Sequence, residues 1–196
     1  MSITGVVLCG GESARMGVDK GLLEWDGRTW AQLAFDKLAS FNMPVYVSVN
    51  SQNVDAYKQN FDPALLIQDD ELMQAGGPLK GLLSVHQVMP NADLLVTAVD
   101  MPHMHHSVLE GLIEQSKNSR AEALVYQNEN QLEPLCGIYK ASGLRKILAA
   151  VQEQRLPRFS MHFVLSQITT LALPVTPEQQ RYFINCNSPE DLGDLK

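Results

Sequence analysis

Short apolar segments alternate with amphipathic segments over the first 115 residues of this chain. The apolar segments cover residues 3–8, 45–49, 65–67 and 94–99. Amphipathic segments with the periodicity of helices begin near Trp30, Pro78 and Ser107. Apolar runs with little alternation are typical of strands that are buried on both faces. The pattern therefore predicts a three-layer α/β fold, in which helices cover both faces of a mostly parallel sheet.

The remainder of the chain adds two strand-like segments, at residues 123–126 and 136–139, joined through the polar residues 128–131. Because strands this close in sequence usually pair with each other, we expect an antiparallel pair. Further elements follow along the chain. They are helices at 141–151 and 158–166, extended segments at 170–175 and 182–184, and a helix start at 188–191.

The composition describes a globular protein with an acidic balance. Of the 196 residues, 45% are hydrophobic and 19% are charged, which is enough apolar material for a core. The formal net charge of -7 leaves no broad basic face for a nucleic-acid backbone. No apolar run reaches the roughly 20 residues that a bilayer-spanning helix needs, and the first residues lack a signal-peptide pattern. We expect a cytoplasmic protein that binds neither nucleic acid nor membrane.

Glycines and polar residues follow the strands of the predicted parallel sheet. They are Gly10, Gly11, Asn50, Asp69 and Asp100. In open α/β sheets, ligands bind beyond the carboxyl ends of the strands. We therefore expect these residues to lie along one edge of the sheet, around one ligand.

The loop after the first strand has the residues of a phosphate-binding loop. Gly10 and Gly11 allow backbone N–H groups to approach a phosphate chain, and Arg15 and Lys20 supply positive charge. The loop has neither the GxGxxG pattern of dinucleotide-binding folds nor the GxxxxGK[ST] pattern of P-loop NTPases. A glycine pair after a strand can be no more than a tight turn, so the functional interpretation depends on the two cations.

Residues 10–20, which read GGESARMGVDK, resemble the signature loop of the molybdenum cofactor guanylyltransferases in the nucleotidyltransferase superfamily. Four later segments match that family in the same order. They are GPLKG at 77–81, DMP at 100–102, EPL at 133–135 and FINCNSPED at 183–191. The resemblance spans essentially the whole chain and implies one Rossmann-like three-layer nucleotidyltransferase domain over residues 1–196. About residues 1–115 would bind the nucleotide, and about residues 116–196 would bind the acceptor.

The resemblance also implies a reaction. The chain would transfer GMP from GTP to the terminal phosphate of molybdenum-molybdopterin, release pyrophosphate and require Mg²⁺. By this resemblance Asp100 ligates the metal, and Arg15 and Lys20 stabilise the charge on the leaving pyrophosphate. The residues implied to contact the nucleotide are Leu8, Cys9, Gly10, Gly11, Lys20, Asn50, Asp69 and Asp100.

The implied site of the second substrate lies near the end of the chain. Asn185 and Asn187 match an NxN pattern of the family and would hydrogen-bond the pterin or its phosphate, with Arg155 and Arg158 as weaker candidates. Asn187 could instead belong only to the start of the last helix. Transient contacts with other cofactor-assembly proteins or molybdoenzymes would fit this role.

Several alternatives remain open at this level. Ser48 could replace Asn50 as the nucleotide contact, and Asp70 could replace Asp69. A molybdopterin cytidylyltransferase or a sugar-phosphate nucleotidyltransferase would share the same order of strand, glycine loop, Arg and Lys. A nucleotide-binding regulator without turnover belongs to a different class, and pyrophosphate release would separate it from the enzymes.

Overall fold

The structure is a computed structural model, and it describes residues 2–9, 19–186 and 191. The strands are β1 (Ile3–Leu8), β2 (Glu24–Trp25), β3 (Arg28–Thr29), β4 (Val45–Val49), β5 (Leu66–Gln68), β6 (Asp93–Ala98), β7 (Ala123–Asn128), β8 (Gln131–Tyr139) and β9 (Thr170–Pro174). The α-helices are α1 (Trp30–Ala39), α2 (Val54–Tyr57), α3 (Pro78–Val88), α4 (His106–Asn118), α5 (Ala141–Gln152) and α6 (Met161–Ser166).

Within this described part, seven strands form the main sheet in the order β5-β4-β1-β6-β8-β7-β9. The strands β5, β4, β1 and β6 are parallel to one another, β8 is antiparallel to both of its neighbours, and β9 is parallel to β7. The mostly parallel sheet that the sequence predicts is therefore confirmed. The antiparallel pairing of the two later strand segments is also observed, between β7 and β8.

Two apolar clusters cover opposite faces of the sheet. One cluster packs α3, α5 and α6 against side chains such as Val6 and Val96, and the other packs α1 and α4 against neighbours such as Val7 and Leu95. Consecutive residues of β1 thus enter different layers, because side chains alternate across a strand. All six residues of β6 are buried, as expected of a central strand in a three-layer fold.

Local sequence signals account for two early elements. Helix α1 begins with a capping box, in which Gln32 N donates to Thr29 Oγ1 at 3.2 Å and Thr29 N donates to Gln32 Oε1 at 2.9 Å. The short hairpin of β2 and β3 turns at Asp26 and Gly27, whose φ angles are 51° and 74°. An Asp-Gly pair is a favoured sequence for a turn that needs positive φ at both positions.

The structure differs from the sequence expectations in its irregular segments. Residues 182–184 were expected to be extended, but a 3₁₀ turn spans Gln180–Phe183. The helix expected from residue 158 begins at Met161, because the Ser160 hydroxyl accepts a hydrogen bond from Phe163 N and caps it there. The helix start at 188–191 lies outside the described residues except for Asp191. Across the described ranges, every helix is too short or too polar to span a bilayer.

Candidate active site

A pocket lies at the carboxyl ends of the parallel strands, where the sequence predicts the site. Polar and charged side chains from widely separated parts of the chain line it. They are Asp19, Lys20, Ser48, Asp69 and Asp100. The apolar lining includes Leu8, Cys9, Pro78, Ala98 and Leu135.

One end of the pocket brings a cation and a carboxylate together. Lys20 begins a 3₁₀ turn, Lys20–Leu22, and Asp100 follows β6 after one intervening residue. Lys20 Nζ lies 4.0 Å from Asp100 Oδ2, and the two side chains are 21% and 30% exposed. Both groups are therefore shielded by the protein while remaining accessible from the pocket.

The end of the described chain packs against the same pair. Cys186 N donates to the backbone carbonyl of Asp100 at 2.8 Å, and Lys20 Nζ donates to the carbonyl of Cys186 at 3.3 Å. The Cys186 side chain is fully buried and packs with Trp30. Asn185 is exposed beside this anchored residue. The C-terminal segment is thereby held directly beside Lys20 and Asp100.

Asp100 has the chemistry of a ligand for a hard cation. Burial raises the pKa of its carboxyl above the usual range, and the positive charge of Lys20 partly offsets this rise. Glu133 lies on β8, the antiparallel neighbour of β6. Burial and the charge of Asp100 both raise the pKa of Glu133, so the two carboxyls lie close enough to interact electrostatically. One or two carboxylates completed by substrate phosphates form a usual Mg²⁺ site, so these residues fit a divalent cation.

The other end of the pocket contains a more deeply buried carboxylate. Asp69 is 8% exposed, and Ser48 Oγ donates to its Oδ1 at 3.0 Å. Burial raises the pKa of Asp69 to about 6, although the Ser48 hydrogen bond and Lys80 oppose the rise. Gly81 of α3 lies against this pair, since a Cβ atom there would stand 2.5 Å from Ser48 Oγ. The absence of a side chain at residue 81 lets the helix approach the Asp69–Ser48 pair closely.

Residues at the carboxyl end of β1 line the middle of the pocket. Cys9 N donates to the carbonyl of Ser48 at 2.9 Å, so the pairing of β1 and β4 continues one residue past the strand. The Cys9 thiol is buried, and burial raises its pKa. Leu8 presents an apolar wall to the same space. The thiol therefore serves as a small apolar group rather than as an ionised nucleophile.

Residues 5–167 match the family described as the MobA-like NTP transferase domain. The chain belongs to this family. Among curated relatives, the molybdenum cofactor guanylyltransferase of Xanthomonas euvesicatoria pv. vesicatoria is 30% identical, and the match covers 98% of this chain and 93% of that protein. A molybdenum cofactor biosynthesis bifunctional protein of Synechocystis sp. is 29% identical over 97% of this chain, which spans 53% of that longer protein.

Solved structures show the same fold. Molybdopterin-guanine dinucleotide biosynthesis protein A from Archaeoglobus fulgidus has a TM-score of 0.76 at 21% identity, with 97% of this chain and 95% of that chain covered. The Mycobacterium tuberculosis protein Rv0371C, crystallised in complex with manganese, has a TM-score of 0.59 at 16% identity and covers 89% of each chain. The chain therefore has the nucleotidyltransferase fold.

The structure brings together five of the residues that the sequence singles out. Leu8, Cys9, Lys20, Asp69 and Asp100 all line the pocket. Three others, Gly10, Gly11 and Arg15, lie outside the described residues, as does Asn187.

Asn50 lies at the end of β4, where its side-chain carbonyl accepts a hydrogen bond from Asn53 N at 2.9 Å. The lining of the pocket includes the alternative, Ser48, rather than Asn50. Asp70 N donates to Ser84 Oγ at 2.8 Å, and Asp70 lines a separate groove with Gln74. Arg155 is on the surface and forms an ion pair with Glu153 at 2.5 Å.

One pocket residue, Asp19, and one residue close to Asp100, Glu133, were not singled out from the sequence. Asp19 lines the pocket directly before Lys20, and its position in the signature loop was the available signal. Glu133 belongs to the EPL segment at 133–135, for which the sequence predicts no role. Its approach to Asp100 depends on the antiparallel direction of β8, which brings a residue 33 positions later back to the same strand end.

Proposed function

We propose that this chain transfers GMP from GTP to the terminal phosphate of molybdenum-molybdopterin and releases pyrophosphate, with Mg²⁺ as the divalent cation. One observation carries the proposal. A single pocket joins a shielded Lys20–Asp100 pair at one end to a buried carboxylate, Asp69, at the other. The first end suits a triphosphate with its metal, and the second suits a base that offers hydrogen-bond donors.

At the phosphate end, the residues act by alignment and charge. Asp100 would hold Mg²⁺, with Glu133 close beside it, and the ion would supply charge neutralisation at the phosphates of GTP. Lys20 would place its ammonium on the phosphates, and Arg15 would add a second cation. The acceptor phosphate is already anionic and can attack the α-phosphorus in line, so the site needs no strong general base.

At the base end, Asp69 would select guanine. Guanine presents N–H donors at N1 and N2, and a carboxylate accepts both kinds of donor. The Ser48 hydroxyl holds Asp69 in place by donating to Oδ1. Adenine offers no donor at N1, so it would leave the buried carboxylate without a partner, which is costly. The backbone and side chains of residues 8–11 would form the neighbouring wall.

The acceptor would enter beside the C-terminal segment. The backbone of Cys186 is hydrogen-bonded to the Asp100 carbonyl and to the Lys20 ammonium. Asn185 and Asn187 flank Cys186 in the sequence, so we expect them next to the reacting phosphates. Their amides could hydrogen-bond the pterin or its phosphate. We place the protein in the cytoplasm, where other cofactor-assembly proteins or molybdoenzymes would deliver the acceptor and receive the product.

The test is a transfer assay with purified protein, Mg²⁺, molybdenum-loaded molybdopterin and GTP, CTP or ATP in parallel. We expect pyrophosphate release and a guanine dinucleotide product only with GTP, detected by mass spectrometry. Preference for CTP would instead identify a cytidylyltransferase. Nucleotide binding without any pyrophosphate release would indicate a non-catalytic regulator.

A further inference from the structure

We propose that Asp19, Asn53 and Tyr57 form a unit, here called the Asp19 clamp, that positions Lys20 for phosphate chemistry; this inference rests on the function proposed above. Asp19 Oδ1 accepts hydrogen bonds from Gly21 N at 2.9 Å and from Tyr57 OH at 3.0 Å. Asp19 Oδ2 accepts from Asn53 Nδ2 at 2.6 Å. Both oxygens of one carboxylate are therefore engaged, and both neighbours of Lys20 in the chain are held.

The two donors of the clamp lie at the two ends of α2. Tyr57 is the last residue of α2, is fully buried, and stacks on Phe61 with ring centroids 6.3 Å apart. Asn53 occupies the N-cap position of α2, yet its side chain makes no capping bond and is turned to Asp19 instead. An asparagine at an N-cap usually hydrogen-bonds the backbone of its own helix. Because Asn53 hydrogen-bonds Asp19 instead, it links α2 to the segment that carries Lys20.

The contact between the clamp and the Lys20 turn is also steric. A Cβ atom at Gly21 would stand 2.1 Å from Tyr57 OH, far inside van der Waals contact. Only glycine lets the turn lie this close to the tyrosine. The Leu22 N–H adds a backbone bond to the Asp19 carbonyl at 3.0 Å, which closes the turn. The backbone that carries Lys20 is thus fixed on both sides by hydrogen bonds and by close packing.

The clamp also reaches the loop after β4. Asn53 N donates to Asn50 Oδ1 at 2.9 Å, while the Asn53 side chain donates to Asp19. Asn53 therefore bonds at once to a predicted nucleotide contact and to the residue before Lys20. We infer that the clamp aligns Lys20 with the rest of the nucleotide site, so its residues are positioning residues and Lys20 remains the catalytic one. Misplacement of a catalytic group by about 1 Å can cost up to about 10²-fold in rate.

A double-mutant cycle separates positioning from general stabilisation. Tyr57→Phe removes one hydroxyl, and we expect it to lower kcat between about tenfold and about 10²-fold while KM for GTP changes little. In the Lys20→Ala background the same change should lower kcat by less than about twofold, because its effect acts through Lys20. An equal fold loss in both backgrounds would overturn the clamp.

A swap of donor and acceptor gives a second, independent test. Asn53→Asp should place a second carboxylate, which has no donor, against Asp19 and lower kcat. Adding Asp19→Asn restores one donor and one acceptor at that contact, so we expect kcat to recover by at least about fivefold, a part of that positioning cost. No recovery, in a double variant with parental thermal stability, would count against the clamp.

The control variant is Tyr126→Phe. Tyr126 is also buried, and its hydroxyl donates to the Val108 carbonyl at 2.9 Å, away from the pocket. It should lose stability without losing kcat, and a kcat loss equal to that of Tyr57→Phe would overturn the proposal. If the parent itself transfers no nucleotide, the proposed function fails, and hydrogen exchange judges the clamp separately. Exchange at residues 20–22 should accelerate in Tyr57→Phe and not in Tyr126→Phe, and unchanged exchange would reject the clamp.

Discussion

The pocket contains two aspartates that both follow a parallel strand but differ in their surroundings. Asp69 is 8% exposed and is paired with the neutral hydroxyl of Ser48. The Asp100 side chain is 30% exposed and lies 4.0 Å from the ammonium of Lys20. Burial raises the pKa of both carboxyls. The charge of Lys20 opposes this rise at Asp100, whereas the Ser48 hydrogen bond and the charge of Lys80 oppose it at Asp69.

Their different surroundings suit the two aspartates to different tasks. A carboxylate that faces a lysine and open space can ligate a metal ion that also binds phosphates. A carboxylate buried against a hydroxyl is costly to leave without partners, which makes it selective for a ligand that brings donors. The same substitution at Asp69 and at Asp100 should therefore have different consequences.

The largest effect is expected at Asp100. Asp100→Asn keeps the shape of the side chain but removes the charge that would hold the metal, so transfer should fall by at least about 10³-fold. Pyrophosphate release measured across a Mg²⁺ titration, together with thermal unfolding, checks this. Near-normal turnover at saturating metal would contradict the assignment of Asp100.

Lys20→Ala should have the next largest effect. Charge builds on the leaving pyrophosphate as the bond to the α-phosphorus breaks, and a fixed ammonium gains strength at that point. We expect kcat to fall by about 10² to 10³-fold, with a smaller change in the affinity for GDP. Steady-state kinetics and calorimetric binding of GDP measure the two quantities.

Lys58→Ala is the matched control, because Lys58 forms an exposed ion pair with Asp55 on the surface, 2.7 Å long. It should leave the rate unchanged. If Lys20→Ala also stayed within about threefold of the parent, well short of the cost of a lost electrostatic donor, Lys20 would be only a surface charge.

Asp69→Asn should change selectivity more than rate. An amide offers one acceptor and one donor where guanine needs acceptors, so the preference for GTP over ATP should narrow by about 10 to 10²-fold. Competition of ATP against GTP in the transfer assay measures the ratio. An unaltered ratio would move base recognition away from Asp69.

The smallest expected effect is a gain in the stability of Asp69→Asn, in contrast to the losses of activity and selectivity predicted above. Burial raises the pKa of Asp69 to about 6 from 3.8. Between these values the folded chain keeps a proton that the unfolded chain releases, so this group's contribution to stability falls as pH rises through the window. The Asp69→Asn side chain cannot ionise. At pH 7 we expect its free energy of unfolding to exceed that of the parent by on the order of 1–3 kcal/mol. Each kcal/mol corresponds to a rise of about 2–4 °C in the melting temperature.

The advantage of Asp69→Asn should shrink toward pH 4, near the lower end of this window, where the folded parent keeps the Asp69 proton. Thermal unfolding at several pH values checks both parts. Asp55→Asn, at an exposed aspartate whose side chain is 88% accessible, is the control that should not show this pH dependence. A variant less stable than the parent at pH 7 would show that the Asp69 charge is better compensated than its burial indicates.

Much of the fold follows from the sequence because it depends on local patterns. The buried runs of β1, β4 and β6 and the apolar stripes of α1, α3 and α5 lie close to their predicted bounds. Their alternation is enough to predict a parallel sheet in three layers, since a strand-helix-strand connection has few ways to pack. The short elements α2 and the β2–β3 hairpin were not predicted, because two to four residues hold too little periodicity to be recognised.

The sequence by itself predicted that polar residues at the carboxyl ends of the strands lie at one pocket, and Asp69 and Asp100 do so. It also pointed to Lys20, as a cation in the loop after β1. Only the tertiary structure decided how they are held. The approach of Glu133 depends on the direction of β8, and the clamp on Asp19 depends on Tyr57, 38 residues away. Such contacts join segments whose separation has no local signal, so they appear only when the packed sheet brings those segments together.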